Sequence, residues 1–346
     1  MTNTVHVGNI KKMVKMNNVK IALNICTYNR EKELRDNLDL LLSSKFFDSK
    51  EPDYYGKLHI FIVDNASSLE ELQEEFVHLF HNRNTGGAGG YQRGIEEIRK
   101  FDDFSHVIFM DDDVSFELSC FYILFDFLKN VTGEDALRPV AGRMFDRNNP
   151  SVQYTAAEIW NKGDIEHIEY MRDISDGSYT PGKVIYDSGA EYGGFWFCCY
   201  PMDFVRENDI IPFFLHCDDA EYGLRCGRSP IIIEGVHVWH ETWEKHFSPS
   251  MAYYDTRNPL FVNEKYSLFS DKEEIKTWWL KRTGYHHARK DYRSEYMAII
   301  AMRDYLKGYK WLYELDREKY HQKIKKPFGN RLINAFLWRI IIHKIH

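Results

Sequence analysis

What this 346-residue chain lacks narrows its class first. Its six cysteines, at 26, 120, 198, 199, 217 and 226, include no C-x-x-C pair. That leaves no zinc-ribbon or dithiol-redox spacing, and several of them lie in apolar runs. Buried free thiols in a reducing cytosol are the simplest reading. No run of about 18 apolar residues occurs, so no membrane-spanning helix is expected. The opening "MTNTVHVGNIKKMVKMNN" lacks the apolar stretch of a signal peptide, and residues 1–18 read as a short leader. There is no internal repeat and no low-complexity linker.

Aromatic residues, by contrast, are abundant: 22 Tyr, 23 Phe and 8 Trp make up 15% of the chain, and 44% is hydrophobic. That argues against disorder and suffices for one large domain with an appendage, or for two domains. The net charge of -7 is uneven. Residues 281–346 hold 16 Lys/Arg against 6 Asp/Glu, a formal +10, while the rest of the chain stands at -17. A basic tail on an acidic body suits an anionic surface as partner. No nucleic-acid partner is expected.

Strand-like and helix-like stretches alternate along the first half. "VKIALNIC" (19–26) reads as a buried strand, and "REKELRDNLDLLLSS" carries Leu34, Leu38, Leu41 and Leu42 on one helical face. "LHIFIVDN" is a second strand. "SSLEELQEEFVHLF" predicts a second helix, with Ser68 and Glu71 as a capping box and Leu69, Leu72, Phe76, Leu79 and Phe80 as its stripe. "NTGGAGGYQRGIEEIRK" reads as a glycine-rich loop entering a third helix. "SHVIFM" is a third strand, and "ELSCFYILFDFLKN" a further helix. Such alternation implies an α/β fold, with a mostly parallel sheet flanked by helices. The region from residue 263 onward, rich in Lys, Tyr and Trp, reads as helical.

Ligands of parallel sheets bind at the carboxyl ends of the strands. Three polar clusters fall there: Cys26–Arg30, Asp64–Asn65 and Asp111–Asp113. In "FMDDDV" three adjacent carboxylates repel one another, and Asp residues one position apart can share a hard cation that offsets the repulsion. An exposed acidic turn is the plain alternative. "NTGGAGG" (84–90) is neither a Walker loop nor G-x-G-x-x-G. Its glycines allow close backbone approach to a ligand, and a flexible turn is the competing reading. In "CDDAEYGLRC" (217–226) Asp218 and Asp219 begin a helical stretch, either as caps or as a base in a cleft. "VWHETW" (238–243) offers His240 as a ligand, and Trp239 and Trp243 as core or stacking surfaces.

Taken in order, "ICTYNR", "IVDN", "NTGGAGGYQRG", "FMDDD", "GGFWFC", "DDAEYGLR" and "VWHETW" resemble family-two glycosyltransferases of GT-A fold, and among these the bacterial galactofuranosyltransferases. The resemblance covers roughly residues 19–262, which it marks as a Rossmann-like catalytic domain followed by a helical, basic region at 263–346. It implies an inverting transfer of a sugar, galactofuranose foremost, from a UDP-sugar to a glycan or lipid-linked acceptor in bacterial surface polysaccharide synthesis. It implies Mn²⁺ or Mg²⁺ held by Asp111, Asp113 and His240 in a DXD-type site. Tyr28, Arg30, Asn65, Asn84 and Asp111–Asp113 would line the nucleotide site. Asp219 would be the catalytic base, with Trp196, Asp218 and Trp243 around the acceptor. Two positions depart from the polymerising members: Phe195–Trp196 stands where they have a Trp pair, and His216 where they have Lys. Acceptor choice and polymerising ability stay open. A rhamnosyl- or other hexosyltransferase of the same family remains an alternative. So do a sugar-nucleotide nucleotidyltransferase and an inactive sugar-binding module, the latter opposed by the intact acidic and His set. A homo-oligomer is possible.

The chain ends "KKPFGNRLINAFLWRIIIHKIH". Pro327 and Gly329 mark a break before Leu332, Ile333, Phe336, Leu337, Ile340 and Ile341 at helical spacing, flanked by Arg331, Arg339 and Lys344. The expectation is a helix lying in a membrane interface and a cytoplasmic enzyme held peripherally on the inner face of the cell membrane. Docking of this helix onto the catalytic domain is the competing reading.

Overall fold

The structure, a computed structural model, describes residues 18–242, 248–326 and 328–345. Trp243, Pro327 and the expected leader up to residue 17 lie outside the described residues. The apolar runs form β1 (Ile21–Thr27), β2 (Leu58–Asp64), β3 (Val77–His81) and β4 (His106–Asp111). These four pair in parallel in the order β3-β2-β1-β4. In register, Thr27 lies beside Asp64 and Cys26 beside Asp111, so the strand ends are level. The chain then adds β5 (Val140–Asp146), β6 (Asn149–Thr155), a separate hairpin of β7 (Glu158–Asn161) and β8 (Asp164–His167), then β9 (Arg172–Asp173) and β10 (Val184–Ile185). β11 (Phe197–Pro201) inserts antiparallel between β4 and β5, and β12 (Ile231–His240) runs parallel to β5. The ten-stranded sheet is therefore mixed, with parallel pairing among the first four strands and again between β5 and β12.

Helices cover both faces, and side chains alternate between them as the strand period demands. Ile21, Leu23 and Ile25 of β1 enter a core with α1 (Glu31–Leu42), whose Leu34, Leu38 and Leu41 are buried as the stripe predicts. Ala22 faces the other core, built with Ala88, Tyr91, Ile95 and Ile98 of α2 (Gly86–Ile98). α3 (Leu118–Asn130) packs in the first core through Phe121, Leu124 and Phe125. Met202 and Val205 of α4 (Met202–Glu207) and Tyr222 of α5 (Asp218–Cys226) join the second.

The remainder is helical: α6 (Pro249–Lys265), α7 (Lys272–Ala288), α8 (Tyr292–Tyr305), α9 (Gly308–Glu314), α10 (Arg317–Ile324) and α11 (Arg331–Ile345). Trp279 of α7 is fully buried and donates its indole N–H to the Ala298 carbonyl at 3.0 Å. α11 docks by one face. Ile341 and Ile345 are buried, Trp338 stacks near Trp279, and Asn334 Nδ2 donates to Tyr292 O and Glu295 Oε2, both at 2.8 Å. Its other face exposes Leu332 and Phe336, 82% and 65% accessible, together with Ile340. No described helix is long and apolar enough to cross a membrane.

Two sequence expectations fail. The helix expected over 67–80 does not form, and its second half is strand β3. Asp64 captures the start of the segment: its carboxylate accepts N–H bonds from Ala66 (2.9 Å), Ser68 (2.6 Å) and Leu69 (2.8 Å). Ser68 is thus held by Asp64 instead of capping a helix. Val77–His81 then gains a full ladder on the edge of β2, which outweighs helix propensities of a few tenths of a kcal/mol per residue. Secondly, the glycines of 86–90 are not a loop but the first turns of α2. A Cβ on Gly90 would lie 2.0 Å from Cys26 Sγ, and one on Gly94 2.0 Å from Asn24 Oδ1. These glycines let α2 lie directly on β1.

Candidate active site

The acidic triplet leaves β4 in a tight turn that several neighbours fix. Asn37 of α1 donates to the carbonyls of Asp112 (3.1 Å) and Val114 (2.9 Å). Ser115 and Trp239 exchange two backbone bonds, Ser115 N to Trp239 O at 2.9 Å and Trp239 N to Ser115 O at 2.8 Å. That bridge sets the end of β12, and hence His240, beside the triplet. One ligand atom each from Asp111, Asp113 and His240 lies within 4.8 Å of the others.

The three carboxylates have different surroundings. Asp112 points inward, is buried and accepts from Arg30 Nη1 at 2.8 Å; burial pushes its carboxyl up to about 6. Asp113 meets His240 Nε2 at 3.0 Å and Arg30 Nη2 at 3.2 Å. Burial opposes its charge, but His240 and then Arg30 outweigh it and hold Asp113 at about 2. Asp111 accepts the Tyr91 hydroxyl at 2.7 Å. His240 Nδ1 lies 2.7 Å from the Glu241 carbonyl, which can only accept, so Nδ1 carries a proton and Nε2 is the atom turned to the carboxylates. This fits a divalent cation: an imidazole fixed by its second nitrogen, with two carboxylate oxygens from alternate positions of one turn, is a metal-ligand pattern.

The second acidic pair begins α5. The segment before it is held in left-handed backbone at Phe214, His216 and Cys217, with φ of 79°, 69° and 67°. α6 holds it there. Arg257 Nη2 donates to Phe213 O at 2.5 Å, and Asn258 Nδ2 to Leu215 O at 2.7 Å and His216 O at 2.8 Å. His216 Nε2 lies 2.9 Å from Asp255. Gly86 completes the fit, since a Cβ there would sit 2.0 Å from the Phe214 carbonyl oxygen. Burial, then Asp218 and Glu158, push the Asp219 carboxyl up to about 8. Burial pushes Asp218 up to about 6, and Asp111 adds to that rise, so the two acidic clusters feel one another. The Cys26 thiol is pushed up by burial and then by Asp112, Asp111, Asp218 and Asp64. Carboxylates from several elements thus surround the end of β1.

The other residues singled out from sequence are distributed unevenly. Tyr28, 41% accessible, and Arg30 follow β1 at the open edge. Asn65 and Asn84 are buried, with Asn65 Nδ2 bonded to Gly86 O at 2.9 Å and Asn84 Oδ1 accepting Gly86 N at 3.0 Å. Both brace the start of α2. Trp196 precedes β11, whose register places it level with Asp111, and donates its indole N–H to Gly142 O at 2.8 Å. Trp243 lies outside the described residues. Sequence reasoning missed Tyr91, Asp255 and Arg147, whose Nη2 donates to the Asp113 carbonyl. Nothing in their local sequence distinguishes them from surface or core residues; only the fold brings them to the carboxylates.

Residues 23–190 match the model of glycosyl transferase family 2. That match takes in just under half of the chain. The chain is similar to galactofuranosyltransferase GlfT2 of Mycolicibacterium smegmatis, 27% identical over 267 residues that make up 70% of this chain and 40% of that protein. GlfT2 of Mycobacterium tuberculosis is 28% identical over 195 residues, 52% of this chain and 30% of that one. The chain thus spans less than half the length of these curated relatives. Among solved structures it resembles GalNAc-T7, determined with UDP, GalNAc and Mn²⁺, at a TM-score of 0.52 and 13% identity, over 91% of this chain and 60% of that one. It also resembles residues 1–349 of TarS from S. aureus, at a TM-score of 0.50 and 13% identity, over 88% of this chain and 89% of that one. The chain has the GT-A fold, with a C-terminal helical extension.

Proposed function

We propose that this protein is a metal-dependent inverting glycosyltransferase that moves galactofuranose from UDP-galactofuranose to a glycan or lipid-linked acceptor in bacterial surface polysaccharide synthesis. The observation that carries the reading is the pairing of a metal-type donor set, Asp111, Asp113 and His240, with a second buried acidic pair, Asp218–Asp219, across the end of β1. Asp111, Asp113 and His240 would hold the divalent cation. When bound, that cation offsets the charge of a leaving diphosphate. Arg30, already spanning Asp112 and Asp113, is placed to meet the diphosphate as well. Asp219 takes the proton of the acceptor hydroxyl as that oxygen attacks the anomeric carbon from the face opposite the nucleotide. Asp218 keeps the proton affinity of Asp219 high, and Trp196 walls the acceptor side.

The similarity to two galactofuranosyltransferases supports the donor over a rhamnosyl or other hexosyl donor. The packing of Gly90 and Gly94 against β1 disfavours a nucleotidyltransferase, whose glycines would cradle a triphosphate. A cytoplasmic, peripheral membrane location draws support from α11. Its exposed Leu332, Phe336 and Ile340 are accompanied by exposed Arg331, Arg339 and Lys344, and each cation near an anionic leaflet is worth about 1 kcal/mol. The test is UDP release from a panel of UDP-sugars with Mn²⁺, with and without lipid-linked acceptors. UDP-galactofuranose should be consumed fastest and only with acceptor present; preference for another UDP-sugar would replace the donor.

A further inference from the structure

A cavity of about 310 Å³ is lined in part by Asp255, the partner of His216. Its walls come from three elements: Asp164 of the β7–β8 hairpin, Asp255 of α6, and Trp278, Lys281, Arg282 and Tyr285 of α7. None of these was singled out by sequence, and none belongs to the carboxylate cluster. The cavity is nonetheless tied to it. Asp255 Oδ1 lies 2.9 Å from His216 Nε2, and His216 stands two residues before Asp218. Asp255 is thus shared between this space and the segment that carries the acidic pair.

We infer that this cavity is a distal acceptor subsite, which holds a neutral sugar unit one or more residues back from the reacting hydroxyl. The inference deepens the proposed function and rests on it for the word acceptor. The volume sits at the small end of ligand pockets, roughly 300–1,000 Å³, which suits one or two sugar rings and not a lipid tail. The charges are balanced, Lys281 and Arg282 against Asp164 and Asp255, and Arg282 is already committed: its Nη2 bonds Gly163 O at 2.9 Å and Asp164 at 3.2 Å. Burial pushes the bordering His286 towards its neutral form. Among the lining residues both cations face Asp164, so a phosphate or carboxylate gains little here, whereas hydroxyls find both carboxylate acceptors and cationic donors. Aromatic surface is also present. Tyr285 is 57% accessible, and the indole of Trp278 is held flat by the Arg282 guanidinium 4.1 Å from its ring centre. Carboxylates that accept from vicinal hydroxyls, beside an aromatic ring that packs on C–H faces, form a chemistry suited to sugars. The hairpin and α7 are fixed to one another by the Arg282–Asp164 contact, so the subsite is preformed.

The test uses the full chain labelled with 5-fluorotryptophan, the Trp278 signal being assigned with Trp278→Phe. It is titrated with methyl galactofuranosides of one, two and three units, with matched galactopyranosides, and with inorganic pyrophosphate. The expected result is a saturable shift of the Trp278 resonance with the neutral glycosides and its loss in Tyr285→Ala. In transfer assays, kcat/KM should rise about tenfold from one unit to three, equivalent to about 1.4 kcal/mol of added contact, and Tyr285→Ala should flatten that rise. A silent Trp278 with every neutral glycoside, or a response to pyrophosphate alone, overturns the inference while leaving transfer itself intact. A Trp278 response in a protein that turns over no UDP-sugar supports the sugar pocket but overturns the transferase reading that makes it an acceptor site.

Discussion

Asp219 stands at the start of α5, and among the described residues its carboxylate accepts the N–H of its neighbour Ala220, at 2.7 Å. Burial and the adjacent Asp218 raise its pKa to about 8, where an ordinary Asp ionises near 3.9. A general base works only when ionised, so activity is lost as pH falls through the raised value. The acid limb of kcat/KM should therefore lie well above the ordinary carboxylate range, as an apparent value of the pair. Asp218→Asn removes a negative neighbour and should move that limb to lower pH. If Asp218→Asn is dead while Asp219→Asn is active, the roles are reversed. On the metal side, Asp113→Ala removes one of the two carboxylates proposed as ligands and should abolish both transfer and Mn²⁺-dependent UDP binding. Full activity in that variant, or in excess EDTA, removes the cation from the mechanism. Asp111, Asp113, His240 and Asp219 could be put forward as candidates from sequence because their motifs are short and contiguous. Tyr91, Arg147 and Asp255 could not, because their contacts span 20, 34 and 39 residues of chain and depend on which strands pair.

At the scale of elements, α2 shows how a glycine-rich stretch can serve packing as much as ligand approach. Gly90→Ala would drive a Cβ into Cys26 and should destabilise by about 1–3 kcal/mol, the usual cost of overpacking. Gly87 has nothing within 4 Å of the same added atom, and Ala favours a helix over Gly by about 1 kcal/mol, so Gly87→Ala should leave the melting temperature unchanged or raised. Equal melting temperatures for the two variants would remove this account of α2. The strand β3 illustrates the opposite limit of sequence reading. Its stretch carries a helical stripe, but the Asp64 carboxylate and the vacant edge of β2 decide the outcome, and both are tertiary facts. α11 combines the two readings that the sequence left open, docked on one face and apolar on the other. Leu332→Glu with Phe336→Glu alters only the exposed face. It should abolish binding to anionic liposomes at low salt without lowering the melting temperature; unchanged liposome binding would remove the membrane role.

For the whole molecule, the parallel strands β1, β2 and β4 bring their carboxyl ends level, β12 delivers His240 to the same edge, and α6 presses the Asp218–Asp219 segment against the start of α2. The α/β class followed from sequence, and the candidate site was expected at this edge because apolar runs ending in Asp mark one. The antiparallel insertion of β11 did not, since "GGFWFC" carries no sign of strand direction. The account stands or falls on a single reaction. The full chain is incubated with UDP-galactofuranose, Mn²⁺ and a galactofuranosyl acceptor, and the product is examined by NMR alongside UDP release. It predicts one UDP per new glycosidic bond, an anomeric configuration opposite to that of the donor, and turnover reduced by about a hundredfold or more in Asp219→Asn, the contribution of a positioned base. Retained configuration, or full turnover in Asp219→Asn, would contradict it.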